Sequence, residues 1–467
     1  MRFWPFLFGI VLFAGCATYH PQPISPEKIA AAFDARSLTN ENLHAFLETN
    51  GVAGEWPRRS WDLNTFTLAA FYYQPALAEA RAQFAVAQAA KITAGERPNP
   101  SFTVTPAYDT QIPDNPSPWM VPMSFDVPIE TAGKRGKRIA EAEHLAEAAR
   151  WNLVGQIWQA CSQVRAALLA LYAARKNESL LAQQETAQSN VVRLLEGQFA
   201  AGSISSFEVT QARVSLETTQ LARQDALGQV GQARAQLAGA LGVPLRALDG
   251  IKISFADFKN FPRDLTAPEI QRRALLDRAD VRGALAEYAA SQSALQLEIA
   301  NQYPDVNLGP GYAWNNGNAG DNEWSLGLTV TLPVFNQNQG PIAEAKANRA
   351  VAAAHFLTVQ TTAISEINSA LAAYDDALKK SATSKSLLGN LRKQLDSVRA
   401  QAQLGEVDAL TLANAESEYD TGAQNQMGAL VQAQQALGQL EDAVQSPLTL
   451  SAAALGAAQV NFSHVGK

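Results

Sequence analysis

Two stretches of the chain alternate strictly between apolar and polar positions. The apolar positions of the first are Trp119, Val121, Met123, Phe125 and Val127. Those of the second are Trp324, Leu326, Leu328, Val330 and Leu332. A period of two over about 10 residues, with aromatic residues at the ends, is typical of a transmembrane β-strand. A single stretch of this kind would fit a half-buried strand of a soluble sheet better.

Each alternating stretch follows another apolar stretch, and the whole arrangement occurs twice. Residues 100 to 108 align with residues 304 to 312 at an offset of 204, through Pro100 and Pro304 among others. Residues 139 to 142 align with residues 342 to 345 at an offset of 203. Because the offsets stay nearly constant, the chain is an internal duplication. Four strands in two hairpins favour the membrane interpretation, with Trp119, Met123, Phe125, Trp324, Leu328 and Val330 facing lipid.

Long proline-free stretches follow each hairpin, from 129 to 243 and from 342 to 446. A helix from Ile139 to Ala201 would be about 95 Å long at 1.5 Å per residue, which is roughly three times the hydrocarbon thickness of a bilayer. Charged residues occur along its whole length, so we expect a coiled-coil arm in water.

The arms turn back at two glycines. Gly202 suits the left-handed residue that ends a helix, and Ser205 with Glu208 forms a capping box that starts the next one. Gly405 and Asp408 occupy the same two positions in the second half. Each half is therefore predicted to contain a helix, a tight turn and a returning helix.

These patterns predict a mainly α-helical chain with transmembrane β-strands, built from a repeated unit. The chain is predicted to begin with a signal peptide (1–15) and an N-terminal tether (16–61). The first repeat (62–243) contains a β-hairpin at about 100–129 and a helical hairpin at about 139–241, and a connecting segment (244–266) follows it. The second repeat (267–445) contains a β-hairpin at about 304–334 and a helical hairpin at about 341–444, and the chain ends in a tail (446–467).

The N-terminus has the pattern of a secretory signal. Met1-Arg2 precedes an apolar run from Phe3 to Phe13, which is too short to span a bilayer as a helix. The ending Phe13-Ala14-Gly15-Cys16 resembles the bacterial lipobox. By that resemblance Cys16 carries a covalent lipid, and Ala17 after it implies the outer membrane. No other cofactor is expected.

The composition of the chain argues against several classes of function. The chain of 467 residues has a formal net charge of −7, which gives no indication of nucleic-acid binding. Its five histidines are scattered, and none forms an i, i+4 ligand pair, so no metal site is expected. No nucleophile or carboxylate pair suggests an enzyme. Cys161 lies on an apolar helix face with Ile157 and Val164 and is interpreted as a small buried residue.

One basic run stands out after the first hairpin. It comprises Lys134, Arg135, Lys137 and Arg138. At the inner edge of an outer membrane these side chains could meet lipid phosphates, and a solvated turn is an equally good explanation. No substrate role is assigned to them.

The order of strands, arms and paired glycine turns, together with the lipobox, resembles the TolC family of outer-membrane efflux ducts. The segment from Pro128 to Arg138 is similar to the lipoprotein branch that serves metal-exporting pumps. The resemblance implies a homotrimer with a twelve-stranded β-barrel in the outer membrane, continued by a twelve-helix tube across the periplasm. Its partners would be a periplasmic membrane-fusion adaptor and an inner-membrane pump of the RND type. The substrates of the pump would be metal ions or small toxic compounds, and they would pass through the tube without any chemical reaction.

The resemblance also places two sites at the helical turns. Gly202, Ser205, Gly405 and Asp408 would meet the adaptor. An entrance gate would involve Glu208, Gln211, Thr411, Asn414 and Glu416. Thr411 and Asn414 stand where the second repeat of the family often has aspartates, so the gate departs from the family pattern.

Two other functions fit parts of the sequence. One is a lipid-anchored coiled-coil adaptor or scaffold without a pore, although such proteins have one helical hairpin where this chain has two. The other is an outer-membrane duct for protein secretion of type I, which would use the same architecture.

Overall fold

A computed structural model describes residues 17–52, 54–108, 110, 119–262, 267–315 and 322–448. The predicted signal peptide, the lipid attachment at Cys16 and the tail from 449 onward lie outside these residues, as do most of the two strand-connecting loops.

Ten α-helices, five strand segments and two short 3₁₀ helices (Leu245–Leu248 and Ala256–Lys259) form the regular structure of the described part of the chain. The helices are α1 (Pro26–Asp34), α2 (Glu41–Thr49), α3 (Leu63–Tyr73), α4 (Pro75–Gly95), α5 (Lys134–Ala200), α6 (Ser206–Leu241), α7 (Ala267–Asp277), α8 (Ala279–Ala300), α9 (Gln339–Gln403) and α10 (Ala409–Val444). The strand segments are β1 (Ser101–Val104), β2 (Ala107–Tyr108), β3 (Trp119–Ile129), β4 (Val306–Asn315) and β5 (Glu323–Val330).

The strands form one antiparallel sheet in the order β1-β3-β4-β5, and β2 extends β1 along β3. The two predicted hairpins therefore join side by side, through pairs such as Met123 with Tyr312. Pro106 lies between β1 and β2, so the first strand is divided in two. β5 ends at Val330. This is short of the predicted boundary near 334.

Four helices continue the sheet at one end. α4, α5, α8 and α9 pack side by side in that order. α5 has 67 residues and α9 has 65, and each is followed by a returning helix of 36 residues. α5 begins at Lys134, five residues before the predicted start, because Gly133 has φ of 69° and sets the first turn. Within the described part of the chain, no helix is both long and apolar enough to cross a membrane.

The largest core lies midway along the arms. Phe66 and Phe71 of α3 are buried there against Leu168 and Leu171 of α5 and Leu237 of α6. Leu171, Leu168, Val164 and Ile157 are all buried on one face of α5, as the apolar spacing predicts, and Cys161 packs against the same core.

The N-terminal segment also belongs to this core. Leu38, Leu43, Leu47 and Trp61 are each at most 1% exposed. The sequence of this segment predicts a tether that carries short helices. α1 and α2 are such helices, and the leucines pack α2 onto α3. Trp61 also bridges in parallel to Ile253 of the connecting segment, so residues before and after the first repeat meet.

Candidate functional site

The turn between α5 and α6 is closed by two backbone hydrogen bonds. Gly202 has φ of 74°, the left-handed value that the sequence predicts. Its N–H donates to the Phe199 carbonyl at 2.9 Å, and the next N–H, of Ser203, donates to the Gln198 carbonyl at 2.9 Å. This pattern is the Schellman motif, which satisfies the last carbonyls of a helix.

The turn between α9 and α10 repeats this geometry. Gly405 has φ of 77°. The N–H of Gly405 donates to Ala402 at 3.1 Å, and that of Glu406 donates to Gln401 at 3.0 Å. A β-carbon added at either glycine would meet no atom within 4 Å, so only backbone conformation restricts these two positions. The surface around both turns is open.

The returning helices start with different caps. The Glu208 carboxylate accepts from the Ser205 backbone N–H at 2.6 Å and from its hydroxyl at 2.9 Å. Asp408 accepts from the Thr411 N–H at 2.8 Å. Hydrogen bonds from Thr411 lower the pKa of Asp408 below its usual range. Two of the candidate acids at the turns therefore serve as helix caps.

The other candidate gate residues lie on α6 and α10 just beyond the caps. Gln211, Thr411 and Asn414 have exposed side chains, whereas Glu416 is half-buried. Its carboxylate accepts from Arg399 Nη2 of α9 at 2.9 Å. The family resemblance predicts a gating role for Glu416, and nothing near it in the sequence indicates its partner Arg399 on the neighbouring helix.

The first repeat contains the same ion pair with the charges exchanged. Arg213 of α6 pairs with Glu196 of α5, with 2.5 Å between Nη2 and Oε1. Glu196 lies 203 residues before Arg399, and Arg213 lies 203 residues before Glu416. The repeat offset aligns these four positions in the sequence, and the structure shows that they pair. An ion pair thus joins the two helices of each hairpin near its turn, and the acidic and basic partners are exchanged between the two hairpins.

Asp420 is a second residue that sequence reasoning missed. It lies on α10 one helical turn after Glu416 and is half-buried. Burial raises its pKa to about 6, helped by the charge of Glu416 and opposed by Arg399. Its equivalent in the first repeat, Glu217, is exposed.

At the other end of the arms, the sheet has one apolar face and one polar face. Directly paired residues share a face, and three aromatic pairs lie across neighbouring strands of the apolar face. These pairs are Phe102 with Phe125 at 4.7 Å, Tyr108 with Trp119 at 5.1 Å, and Tyr312 with Trp324 at 4.8 Å between ring centroids.

The predicted lipid-facing residues all belong to this apolar face. Trp119, Met123, Phe125, Trp324 and Leu328 are exposed, and Val330 is half-buried. The opposite face carries small and polar residues, including Thr103, Ser124, Gly311 and Ser325 in one row across the strands. The alternation predicted from sequence thus runs through the whole sheet.

The basic run lies where the sheet meets the helices, and its side chains bind other parts of the chain. Lys134, only 8% exposed, pairs with Asp305 of the second repeat at 2.7 Å. Arg135 donates to the Gly95 carbonyl at 2.6 Å. Lys137 donates to Gln296 at 2.7 Å, and Arg138 pairs with Glu130. Both sequence interpretations, lipid phosphates and a solvated turn, are therefore wrong for Lys134, because a buried amine requires a fixed partner.

Among the residues that the structure describes, no cluster of three histidine, cysteine or acidic side chains could hold a metal ion. Burial raises the pKa of the Cys161 thiol to about 12, so this cysteine remains protonated and unreactive.

The sequence model of the outer membrane efflux protein family matches residues 71–243 and 270–444. The chain therefore belongs to this family, and its two matched segments correspond to the two copies of the hairpin-and-arm unit. Solved channels share the fold. The outer membrane protein VceC of Vibrio cholerae superposes with a TM-score of 0.68 at 18% identity, covering 82% of this chain and 96% of VceC. For CusC the TM-score is 0.67 at 17% identity, over 82% of this chain and 92% of CusC.

Two curated relatives are more similar in sequence over shorter lengths. The cobalt-zinc-cadmium resistance protein CzcC of Cupriavidus metallidurans is 27% identical over 216 residues, which is 46% of this chain and 50% of CzcC. The nickel-cobalt-cadmium resistance protein NccC of Alcaligenes xylosoxydans xylosoxydans is 27% identical over 252 residues, which is 51% of this chain and 53% of NccC. The chain thus spans about half the length of these two relatives.

Proposed function

We propose that this protein is the outer-membrane duct of a tripartite efflux system and that it works as a homotrimer. The observation that carries the proposal is the single sheet with one continuous apolar face. Its edge strands, β1 and β5, have no neighbour within the described residues. Because backbone polar groups in lipid must be paired, such a sheet requires further copies to close it.

Three copies of this sheet give a closed barrel of twelve strands with the apolar face outward. The arms then continue the barrel as a tube, since α5 alone is about 100 Å long. The polar face of the sheet lines the passage. Substrates pass through by diffusion, and the energy for export comes from an inner-membrane pump of the RND type.

The turns at Gly202 and Gly405 lie at the far end of the tube, where they meet a periplasmic adaptor together with Ser205 and Asp408. The candidate gate residues Glu208, Gln211, Thr411, Asn414 and Glu416 lie immediately above them. A covalent lipid on Cys16 holds the chain at the outer membrane. A Cys16→Ser variant should lose incorporation of radiolabelled fatty acid, and equal labelling of both proteins would contradict the anchor.

The names of CzcC and NccC support metal cations as the exported substrates. Deleting the gene should make cells more sensitive to cobalt, zinc, cadmium or nickel, and the wild-type gene should restore resistance. The purified protein should also run as a heat-sensitive trimer on gels. Normal metal and drug tolerance in the deletion strain, combined with a monomeric protein, would overturn the proposed function.

A further inference from the structure

The polar face of the sheet carries charge of only one sign within the described strands. Its side chains come from alternate positions of each strand, because successive residues of a strand point to opposite faces. The charged residues among them are Asp126 of β3 and Glu323 of β5, which are both acidic and both exposed. The face that would line the passage is therefore negative wherever its described strands carry a charge.

Asp126 lies near the end of the sheet that joins the arms, three residues before the end of β3. It pairs with Ser101 of β1. On its other side the register of β3 with β4 places Gly309 opposite it, and Gly309 pairs with Gly327 of β5. The row across the four strands thus reads serine, aspartate, glycine and glycine. Within this row, no other side chain is long enough to cover the carboxylate.

The charge of Asp126 is not neutralised by its neighbours. The Asn307 side-chain amide donates to its Oδ2 at 3.4 Å, and an amide carries no net charge. The nearest basic side chains in sequence, Lys134 and Arg138 at the junction with the arms, are each paired with a different acid. The carboxylate therefore presents its charge to the passage.

The candidate gate at the helical turns offers less free charge. Thr411 and Asn414 are uncharged, and Glu416 is paired with an arginine of α9. Glu208 is held as the cap of α6. The acids of the candidate gate are thus engaged with a cation or a helix end, whereas Asp126 is not.

We propose that Asp126 determines the ion selectivity of the duct. In a closed trimer its carboxylates, one from each copy, form a ring at a single level of the barrel. Rings of acidic side chains make a pore selective for cations. The inference rests on the proposed trimer and adds the residue that discriminates cations from anions.

The small residues beside the ring define the class of cation that it accepts. Barrels of about 8 strands are filled by their own side chains, whereas those of about 16 leave an aqueous channel. A twelve-stranded barrel lies between these limits, so the size of its inner side chains decides how much water it holds. Gly309 and Gly327 leave the space beside Asp126 open. The ring therefore attracts small cations that keep their water shell.

A charge that acts through water has a characteristic salt dependence. The Debye length is about 10 Å at 0.1 M salt and about 3 Å at 1 M. The preference for cations should therefore be strong in dilute KCl and weak in concentrated KCl. A site that strips water from the ion would instead keep its preference at high salt.

Reversal potentials of the purified trimer in planar bilayers test the assignment. Under a KCl gradient, the parent protein should show a cation-to-anion permeability ratio above one. Asp126→Asn, which keeps the size of the side chain, should bring this ratio close to one, and Asp126→Lys should bring it below one. Asp249→Asn is the matched control, because it removes the same charge from the connecting segment, away from the sheet. Gels of each variant check that the trimer is intact.

Metal tolerance of the deletion strain provides a second measurement. At equal amounts of trimer, Asp126→Lys should restore less tolerance to cobalt or zinc than the wild-type gene, and Asp126→Glu should restore it fully. Equal tolerance with all three genes would overturn the assignment.

The same experiments separate this inference from the proposed function. A parent ratio at or below one, or a ratio that Asp126→Asn leaves unchanged, would overturn the role of Asp126 and leave the duct standing. Loss of the cation preference in Glu208→Gln, with Asp126→Asn unaffected, would place selectivity at the helical turns. A parent protein that passes no current and restores no tolerance would contradict the proposed function itself.

Discussion

The backbone of Gly242, at the end of α6, lies directly against the carbonyl of Tyr73, at the end of α3. A β-carbon at Gly242 would be 2.9 Å from the Tyr73 oxygen, and its φ is 72°. Arg36 joins the same point, because its Nη1 donates to the Tyr73 carbonyl at 2.9 Å and to the Gly242 carbonyl at 2.6 Å. The N-terminal segment, α3 and α6 are therefore fixed at a single site.

Gly242→Ala should destabilise the fold by about 2 to 4 kcal/mol, since left-handed backbone strain adds to the close contact. Gly250→Ala is the matched control, because Gly250 has φ of 73° and no atom within 4 Å of an added β-carbon. Denaturant unfolding of the two purified variants measures the difference. Equal unfolding midpoints would show that the Tyr73 contact contributes nothing.

Asp420 should make the α9–α10 hairpin pH-dependent. Its pKa of about 6 exceeds the unfolded value of about 3.9, so the folded chain binds the extra proton. Stability is therefore greatest at low pH and falls as pH rises through about 6. Asp420→Asn should abolish this fall and slow amide exchange around Arg399 at pH 7.5.

Hydrogen exchange at pH 5 and pH 7.5 provides the measurement for the hairpin. Glu217→Gln, at the equivalent position of the first repeat, is the control, because Glu217 is exposed. If the Asp420→Asn variant still shows the wild-type difference in amide exchange between the two pH values, a group other than Asp420 causes the pH dependence.

The two faces of the sheet should respond differently to charge. Leu328 lies on the apolar face, paired with Leu308, and Thr329 lies on the polar face, paired with Asn307. Arginine in the middle of a lipid-facing strand costs about 2 to 4 kcal/mol, repeated in each copy of a trimer. Leu328→Arg should therefore reduce the trimer on gels far more than Thr329→Arg. The reverse order would mean that the polar face contacts lipid.

Substitution of Gly202 or Gly405, at the turns that end the arms, should reduce export without affecting trimer assembly. Valine at Gly202 or Gly405 adds backbone strain of about 1 to 2 kcal/mol at the turn and touches no neighbour. We expect lower survival under a pump substrate and weaker crosslinking to the adaptor, with normal trimer on gels. Gly228→Ala, within α6, is the control. Normal export by both valine variants would place adaptor docking elsewhere.

Regular features of this fold were predictable because they depend on local spacing. The alternation of apolar and polar residues predicted the two faces of β3 and β5, and the long stretches without proline predicted the long helices of the two arms. Gly202 and Gly405 were predictable because few other residues adopt a positive φ at a helix end. The duplication required only a constant offset.

Contacts between distant residues were not predictable in the same way. Lys134 is adjacent to a turn in sequence, and nothing near it indicates that Asp305 will neutralise it. Asp420 has the sequence surroundings of an ordinary surface acid, and nothing near it indicates that it will be half-buried. The burial of the N-terminal segment was equally hard to predict, because Leu43 and Leu47 are too few to show a clear periodicity.

The exchanged ion pairs make the two hairpins of each chain chemically unlike. Glu196 with Arg213 presents acid on the outgoing helix and base on the returning one, and Arg399 with Glu416 presents the reverse. A trimer would offer a partner six hairpin ends of two kinds in alternation. A ring of six identical subunits would then make two non-equivalent sets of contacts, one with each kind of hairpin end.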